Sequence, residues 1–160
     1  MEIGCGAGAN LVNIIKGIGD RQLGGVDINP EAIEVASKAL TGGMFKVSSG
    51  DDVMMSDKST DVVLTDMYLI YVGARKIDKH IREIKRLARN YVLLCEFHSE
   101  SWADRLKLLL GSGYHAYNYK KLLKKHGFYD IMTMKIPPEL WPGANIKDHR
   151  YLILAKVSKR

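Results

Sequence analysis

The sequence predicts an α/β fold in which helices cover both faces of a mostly parallel β-sheet. Three stretches indicate this fold: the glycine-rich start MEIGCGAGAN, the short apolar run GGVDIN, and the continuous apolar strand Asp61–Thr65. A glycine turn between a short strand and a helix is typical of a β-α-β unit that binds a nucleotide. An uninterrupted apolar strand is typical of a parallel sheet that is covered on both faces.

The glycine turn is the most informative element. Gly4, Gly6 and Gly8 lack a Cβ atom, so the backbone can adopt positive φ and a ligand can lie against the turn. The helix that follows offers free N–H groups and the positive end of its dipole. Asp27 stands nineteen residues after Gly8, close to the spacing at which a β-α-β unit places a carboxylate on ribose hydroxyls.

The predicted helices rest on apolar residues spaced three or four apart and on capping residues. This spacing places the first helix at 10–17, and Asn29, followed by Pro30, caps the start of the second. Gly127 ends the last helix. Further helices are expected at 74–89, 102–110 and 119–126, and residues 50–55 are expected to form one helical turn.

The predicted strands are short apolar runs bounded by glycine, proline or polar residues. They are expected at 2–3, 22–28, 44–47, 61–65, 91–95, 128–136 and 151–157. The fourth strand ends at Asp66-Met67-Tyr68, and the fifth ends at Glu96-Phe97-His98. Because the carboxyl ends of parallel strands meet at one edge of a sheet, these side chains are expected at the ligand-binding edge.

Two classes of nucleotide-binding protein fit the glycine turn. The pattern G-x-G-x-x-A that starts at Gly4 fits the dinucleotide fingerprint of a dehydrogenase. The pattern E-x-G-x-G-x-G that starts at Glu2, followed by Gly25-Val26-Asp27, closely resembles the first two motifs of class I S-adenosylmethionine (SAM)-dependent methyltransferases. Glu2 favours the methyltransferase, because a carboxylate suits the amino-acid end of a sulfonium ligand and repels a pyrophosphate.

The resemblance continues along the chain in the same order. Ser49-Gly50-Asp51-Asp52 resembles the acidic loop that holds the adenine in this family, and Asp61-Val62-Val63-Leu64 resembles its fourth strand. The resemblance implies a three-layer Rossmann-like methyltransferase fold. Its mostly parallel seven-stranded sheet would carry an antiparallel strand near one edge, and residues 1–160 would form a single domain.

The resemblance also implies a set of cofactor-binding residues. They are Glu2, Gly4, Cys5, Gly6, Gly8, Asp27, Ile28, Asp51, Asp52 and Asp66. The glycine turn and Glu2 would hold the methionine part of S-adenosyl-L-methionine, and Asp66 would lie near its ammonium. Asp27 would bind the ribose hydroxyls, and Ile28 would contact the adenine. Asp51 or Asp52 would bind the adenine amino group.

The methyl acceptor is harder to assign. Amino-group and base methylases of the family carry a polar residue, two prolines and an aromatic after the fourth strand, whereas this chain has Asp66-Met67-Tyr68-Leu69. This argues against the exocyclic amines of DNA bases as acceptors. The pattern Asp66-x-Tyr68-x-x-Tyr71-Val72 resembles the small-molecule branch of the family, which implies transfer to oxygen or nitrogen of a small molecule. The stretch GYHAYNYKKLLKKHGF that starts at Gly113 is similar to methylases of nonulosonic-sugar synthesis, which suggests a sugar or nucleotide-sugar acceptor.

Candidate catalytic residues lie at the ends of the fourth and fifth strands. They are Glu96, His98 and Tyr68, with His115 as a further candidate base. Several aromatic residues fit either an acceptor pocket or the packing of a covering segment. These are Tyr68, Trp102, Tyr114, Tyr117 and Trp141.

Composition limits the remaining classes. The chain has 160 residues, 46% of them hydrophobic, which suits one ordinary core. No apolar run approaches the roughly 20 residues that span a bilayer, so no membrane is expected. Cys5 and Cys95 lie in apolar strands, which predicts buried thiols in a reducing cytoplasm. No cysteine or histidine pair has ligand spacing, so no metal site is expected.

The formal net charge of +6 raises the question of a nucleic-acid partner. Much of the excess lies beside Ile77, Ile81 and Ile84 at helical spacing, which predicts an amphipathic helix against a sheet. The basic residues are Arg75, Lys76, Lys79, Arg82, Lys85, Arg86 and Arg89. A solvated basic face is favoured over an RNA-binding surface, and an RNA methyltransferase stays an alternative.

Class I methyltransferases usually carry helices before the first strand, and none precedes Met1 in this sequence. The fold is therefore expected to be truncated at its N-terminus. A natural minimal form, a shortened start and a degenerate copy without turnover all fit this pattern. Strand pairing by a partner chain would compensate, so a homo-oligomer is a hypothesis. A non-catalytic SAM-binding module that acts through a partner is the alternative function.

Overall fold

The computed structural model describes residues 1–19, 22–140 and 149–157. Seven strands form one sheet: β1 Glu2–Ile3, β2 Gly24–Asp27, β3 Met44–Val47, β4 Thr60–Asp66, β5 Ala88–Phe97, β6 Phe128–Lys135 and β7 Arg150–Val157. Five α-helices flank the strands in the described ranges: α1 Ala9–Ile18, α2 Pro30–Ala39, α3 Ile77–Leu87, α4 Trp102–Ser112 and α5 Tyr119–Lys125. Short 3₁₀ turns occupy Leu69–Tyr71 and Pro138–Leu140.

Helix starts are set by short polar side chains. The Asn29 side chain accepts a hydrogen bond from the Glu31 N–H at 2.9 Å and starts α2. Ser101 caps α4 in the same way, accepting from the Asp104 N–H at 3.2 Å, and Asn118 caps α5. Helix α1 begins instead after Gly8, whose φ is 81°, with no side-chain cap. Its first N–H groups therefore have no side-chain acceptor from a capping residue.

The strand order is β3-β2-β1-β4-β5-β7-β6. The pairs from β3 to β5 are parallel, and β7 runs antiparallel between β5 and β6. The prediction of a mostly parallel seven-stranded sheet with an antiparallel strand near one edge is confirmed. The sheet places the carboxyl ends of β1, β2, β4 and β5 along one edge.

The main core lies between the sheet and the helices α3 and α5. Ile81, Ile84 and Leu87 of α3 have no exposed surface, and neither does Leu123 of α5. They pack on Val92, Leu94 and other buried strand residues in one cluster. Burying apolar side chains of this size stabilises the fold by about 1.5–3 kcal/mol each. A second cluster joins α1 and α2 around Leu11 and Ile33.

The opposite face of the β4, β5, β7 and β6 strands forms an apolar surface. Strand register places Leu64, Leu93, Leu154 and Met132 side by side in one row. The neighbouring row holds Val62, Tyr91, Lys156 and Tyr129. We call this surface the open sheet face, because Met132 is 61% exposed and Val62 is 39% exposed.

No helix of the described residues is long and apolar enough to cross a membrane.

Two predictions of local structure were wrong. Residues 50–55 form turns and bends rather than a helical turn. Strand β5 extends to Phe97, so Glu96 and Phe97 lie inside the strand rather than beyond its end. Their side chains are 0% and 2% exposed, because the strand continues beneath the segment that follows β4.

Candidate cofactor site

The glycine turn adopts the backbone that its sequence predicts. Gly4, Gly6 and Gly8 have φ values of 74°, 50° and 81°. A Cβ atom on Gly4 would lie 2.6 Å from Tyr68 Cδ2, whereas a Cβ atom on Gly6 would meet nothing within 4 Å. A Cβ atom on Gly8 would lie 3.2 Å from Ala36 Cβ. Gly4 and Gly8 therefore allow close packing, and Gly6 leaves room for a ligand beside the turn.

Asp27, at the end of β2, fastens the glycine turn. Its Oδ2 accepts a hydrogen bond from the Gly6 N–H at 2.9 Å, and its Oδ1 accepts one from the Asn29 N–H at 2.9 Å. Each carboxylate oxygen can accept a further hydrogen bond, so hydroxyl binding is compatible with these contacts. The adjacent Ile28 side chain is 74% exposed.

Cys5 does not direct its side chain to the ligand edge. It is 7% exposed and packs in the cluster beneath α1 and α2, where a Cβ atom on Gly25 would lie 2.5 Å from Cys5 Cβ. Burial raises the pKa of the Cys5 thiol to about 12, so the thiol stays protonated. A direct role of Cys5 toward a cofactor is therefore limited to its backbone.

An amide side chain bridges two acidic residues beside the turn. Asn10 Nδ2 donates to Glu2 Oε1 and to Asp66 Oδ2, both at 2.8 Å. Glu2 is 1% exposed, and its Oε2 has no hydrogen-bond partner among the described residues. Burial raises the pKa of Glu2 to about 7, and the nearby Asp66 adds to this shift. A cationic group at this point would satisfy the buried oxygen and favour the ionised carboxylate.

The acidic loop after β3 places Asp51 and Asp52 in different surroundings. Asp51 accepts a hydrogen bond from the Ser49 hydroxyl and lies 3.2 Å from Lys79 Nζ. The Ser49 hydrogen bond lowers the pKa of Asp51 most, and Lys79 adds to the effect. The Asp52 side chain is exposed and accepts no hydrogen bond within the described residues. Asp52 is thus the carboxylate of this pair without a side-chain partner.

Helix α3 holds this loop in place, a role that the sequence analysis missed. The Val53 N–H donates to Glu83 Oε1 at 2.8 Å, and Arg86 donates to the Val53 and Met55 carbonyls at 2.8 and 2.6 Å. Arg86 also pairs with Glu83 and lies 2.8 Å from Asp57. The interpretation of the basic helix as a solvated face was therefore wrong for Arg86, which is directed into the fold.

The Tyr68 side chain lies between the glycine turn and the acidic loop that follows β3. Its ring packs against Gly4, and a Cβ atom on Gly50 would lie 2.2 Å from its hydroxyl oxygen. The hydroxyl pairs with His80 Nδ1 at 2.7 Å. Burial raises the pKa of Tyr68 above its ordinary value. These contacts argue against the expectation that Tyr68 is a catalytic acid or base, and give it a packing role.

Glu96 lies beneath the same segment. Its Oε1 accepts hydrogen bonds from the Tyr68 and Leu69 N–H groups at 3.1 and 3.0 Å. Burial raises the pKa of Glu96 to about 7, although the two N–H groups act in the opposite direction. Because the side chain is fully buried, this position argues against direct contact with an acceptor. Glu96 instead positions the turn that follows β4.

His98 is also buried, with 3% of its surface exposed. The Tyr119 N–H donates to His98 Nδ1 at 3.1 Å, and burial lowers the pKa of the ring. The ring is therefore neutral at pH 7, and its proton resides on Nε2. This tautomer leaves no ring nitrogen free to accept a proton, which argues against His98 as the general base.

The aromatic candidates do not converge on one pocket. Tyr117 donates its hydroxyl to the Val72 carbonyl, and its ring stacks on His115 at 6.0 Å. Tyr114 packs on Tyr71 at 5.5 Å. Trp102 is 69% exposed on α4, and Trp141 lies outside the described residues. Tyr114 and Tyr117 thus attach the 113–118 segment to the turn after β4.

Neither Asn10 nor His80 was identified from the sequence. Asn10 lies in the first turn of α1, so its proximity to Glu2 follows from the βα turn. His80 stands among basic residues of an amphipathic helix, and its contact with Tyr68 depends on how α3 packs. No group of three or more metal-ligating side chains occurs in the residues that the structure describes.

The profile of the methyltransferase domain family matches residues 1–90. This is more than half of the 160 residues, so the chain belongs to the methyltransferase domain family. The chain is thus a methyltransferase by family, and its fold is the class I, Rossmann-like fold of solved S-adenosyl-L-methionine-dependent methyltransferases. No curated protein matches the chain in sequence.

Solved structures with this fold extend over almost the whole chain. A SAM-dependent methyltransferase from Methanosarcina mazei has 23% identity and a TM-score of 0.70, covering 97% of this chain and 90% of that one. The Haloferax volcanii protein in complex with the Trm112 methyltransferase activator has 15% identity and a TM-score of 0.76, covering 99% and 81%. Haemonchus contortus phosphoethanolamine N-methyltransferase 2, in complex with S-adenosyl-L-methionine, has 17% identity and a TM-score of 0.74, covering 99% and 48%.

Proposed function

We propose that this methyltransferase acts on oxygen or nitrogen of a small molecule and binds its cofactor at the glycine turn. The observation that supports this site best is the buried Glu2 carboxyl beside Gly4, Gly6 and Gly8. Its Oε2 lacks a partner in the described chain, and its pKa is raised to about 7 by burial. An ammonium group placed there would pair with Glu2 and with Asp66, which shares the Asn10 amide.

The residues around the turn fit the remaining parts of the cofactor. Gly6 leaves open space for a ligand chain, and Asp27 retains acceptor capacity for ribose hydroxyls. Ile28 offers an exposed apolar surface to an adenine ring. Asp52 would accept from the adenine amino group, because Asp51 is engaged by Ser49 and Lys79.

Alignment is the main contribution that this site makes to catalysis. When bound, S-adenosyl-L-methionine supplies a methyl group on a sulfonium, which already carries its leaving group. The protein must hold the methyl donor and the acceptor atom in line and prevent other arrangements of the two. Glu96 fixes the Tyr68–Leu69 backbone and Tyr68 fixes Gly4 and Gly50, so both residues keep the edge of the site in place.

Calorimetric titration with S-adenosylhomocysteine tests the site, with NADH as the control ligand. Micromolar affinity for S-adenosylhomocysteine and no binding of NADH is the expected result. Tight NADH binding would favour the dehydrogenase interpretation of the glycine turn. If neither S-adenosylhomocysteine nor NADH binds, the proposed site is wrong.

The acceptor class rests on two observations. The sequence after β4 lacks the two prolines of base methylases, which favours a small molecule, with a sugar or nucleotide-sugar as the candidate. Several basic residues of α3 are engaged within the fold: Lys79 pairs with Asp51, Lys85 donates to the His126 carbonyl, and Arg86 holds the acidic loop. This leaves fewer cations for a nucleic acid, so RNA is not favoured. Negligible binding of tRNA at low salt is expected, since phosphate contacts are strongest there.

The open sheet face favours a second candidate function, in which the domain works together with another protein chain. Tyr91 and Met132 are 38% and 61% exposed there, and Met134, which pairs with Leu152 in the next row of the same face, is 58% exposed. Exposed apolar patches commonly mark protein contacts. The Haloferax volcanii protein of similar fold is in complex with a methyltransferase activator. Two free cysteines, Cys5 and Cys95, fit a reducing cytoplasmic setting for either candidate.

Light scattering of the purified chain tests the second candidate. A monomer that turns over without any added protein would exclude the second candidate function. Unchanged association of a Met132→Ser, Met134→Ser variant would exclude it as well. A concentration-dependent dimer that this variant abolishes would support a second copy of the chain as the partner.

A further inference from the structure

A polar cavity lies at the ligand-binding edge beyond the end of β5. It has a volume of about 440 Å³, and its lining includes His98, Asp104, Lys120, Thr133 and Tyr151. The starts of α4 and α5 border it, together with β6 and β7. None of the predicted cofactor-binding residues lines it. The cavity is therefore a distinct region of the same edge.

The position of the cavity relative to β4 suits an acceptor. Strand β5 is the neighbour of β4, and Cys95 pairs with Asp66 in the sheet register. His98 lies three residues past Cys95, which is about 10 Å of extended chain, and neighbouring strands lie about 5 Å apart. A small molecule seated beside His98 can therefore extend toward the end of β4.

His98 provides the cavity with a fixed hydrogen-bond donor. The Tyr119 N–H occupies Nδ1, so Nε2 carries the proton and is the ring nitrogen available to a ligand. Tyr151 packs edge-on against the ring at 4.9 Å, and Tyr119 stacks on it at 6.2 Å. These contacts keep the ring from turning, so a hydroxyl or amine lone pair is the group that it would bind.

The charged groups of the lining favour an ammonium over a phosphate. Lys120 Nζ lies 2.8 Å from Glu100 Oε1, and this pair is neutral as a whole. Asp104, in the first turn of α4, has no ion pair among the described residues, so it is the lining carboxylate that can pair with a cation. His149 also lines the cavity, and the guanidinium of the nearby Arg105 donates to the Ser99 and Glu100 carbonyls. Hydroxyl groups of Thr133, Tyr151 and nearby serines both donate and accept, as the hydroxyls of a ligand require.

We propose that this cavity binds the body of the methyl acceptor, and that the acceptor carries an ammonium group beside several hydroxyl groups, as an amino sugar does. Asp104 pairs with the ammonium, and His98 Nε2–H donates to a hydroxyl. This assignment rests on the proposed function, because it places the acceptor next to the cofactor site.

Nuclear magnetic resonance of the chain saturated with S-adenosylhomocysteine tests the proposal. The signals to follow are the ring nitrogens of His98 and the methyl group of Thr133. D-glucosamine is the probe, D-glucose is the analogue without an ammonium, and glucose 6-phosphate is the anionic analogue. Glucosamine is expected to give saturable shifts at millimolar concentration, with weaker binding of glucose and none of the phosphate.

The Asp104→Asn variant sharpens this test, because the substitution removes the charge and leaves the backbone cap of α4 in place. It is expected to weaken glucosamine binding by about tenfold, the scale of one charge-assisted hydrogen bond. The matched control is Glu34→Gln, an exposed acid on α2, which is expected to change nothing.

Three results would overturn the proposal. Glucosamine without saturable shifts while S-adenosylhomocysteine still binds would exclude the cavity as an amino-sugar site. Tighter binding of glucose 6-phosphate, or equal binding by Asp104→Asn, would exclude the charge argument. Failure of S-adenosylhomocysteine itself to bind would overturn the proposed function and this assignment together.

Discussion

The two halves of the ligand-binding edge are built in different ways. The proposed cofactor half, at the ends of β1, β2 and β4, is a backbone structure: three glycines at positive φ, tied by Asp27 to the end of β2. The proposed acceptor half, beyond β5, is assembled from side chains of α4, α5, β6 and β7. A backbone motif is contiguous in sequence, whereas an assembled cavity is not.

This difference explains why one half is recognisable from the sequence and the other is not. A glycine with positive φ and no room for a Cβ atom leaves few substitutions open, so the residue type itself reports the geometry. A histidine beside a cavity has no such constraint on its neighbours in sequence. Adding a single methyl group to the glycine turn should therefore be enough to disrupt the proposed cofactor half.

Gly4→Ala should have the largest effect on the fold. The added Cβ atom meets the Tyr68 ring at 2.6 Å, and the φ of 74° is strained for alanine. The free energy of unfolding is expected to fall by about 2–4 kcal/mol, combining backbone strain with overpacking. Denaturant unfolding measures it. Gly6→Ala is the control: with open space around it, only about 1–2 kcal/mol of strain is expected. Equal losses in both variants would contradict the packing role of Tyr68.

Arg86→Met tests whether α3 holds the acidic loop. Arg86 donates to the Val53 and Met55 carbonyls and to Asp57, so its removal takes a donor from each of these acceptors. Glu83 loses its ion pair and keeps only the Val53 N–H. The free energy of unfolding is expected to fall by about 1.5–3 kcal/mol, the scale of hydrogen bonds to a charged group. S-adenosylhomocysteine affinity, measured by calorimetry, should fall with it. Arg82→Met, an exposed position on the same helix, should change neither quantity.

Asp27→Ala should weaken S-adenosylhomocysteine binding by about 1–3 kcal/mol, the scale of a lost charge-assisted hydrogen bond. The loss has two sources, because Asp27 also holds the Gly6 N–H at 2.9 Å. Asp27→Asn keeps one acceptor oxygen and is expected to lose less. Calorimetry measures the S-adenosylhomocysteine affinity of both folded variants. Unchanged affinity in Asp27→Ala would mean that the ribose site lies elsewhere.

Glu2→Gln should change the pH dependence rather than the overall fold. Burial raises the pKa of Glu2 to about 7, so the ligand-free protein holds a proton there that the unfolded chain releases near pH 4.3. This contribution to stability is complete below the unfolded pKa and is lost as pH rises toward 7. Glu96 behaves in the same way and remains in the variant. Glu2→Gln should therefore reduce, without abolishing, the loss of stability between these pH values.

Ligand binding gives the same prediction an independent measurement. An ammonium favours ionised Glu2, so S-adenosylhomocysteine affinity should rise with pH by up to about tenfold per unit below pH 7. The Glu2→Gln variant should bind more weakly, with a flatter profile. A wild-type profile that is already flat would place the ammonium away from Glu2.

The glycine turn and the positions of the seven strands were largely predictable. Gly4, Gly6 and Gly8 act through backbone geometry, Asp27 binds the turn with its carboxylate, and the strands follow from apolar runs. The extent of β5 was not predictable, because Glu96 is a charged residue that stays in the strand by binding the Tyr68 and Leu69 N–H groups. The loop at 50–55 has no helix because its polar groups bind Glu83 and Arg86 instead.

The α/β class, the glycine turn and the family of the chain were predictable from residue types alone, because local backbone requirements restrict which residue types fit. Which side chains lie together at the edge of the sheet depended on tertiary packing. It buried His98 with Nδ1 occupied by the Tyr119 N–H, and it turned Tyr68 toward His80 and Arg86 toward the acidic loop. These outcomes depend on how distant segments pack, and the spacing of residues along one chain does not encode such contacts.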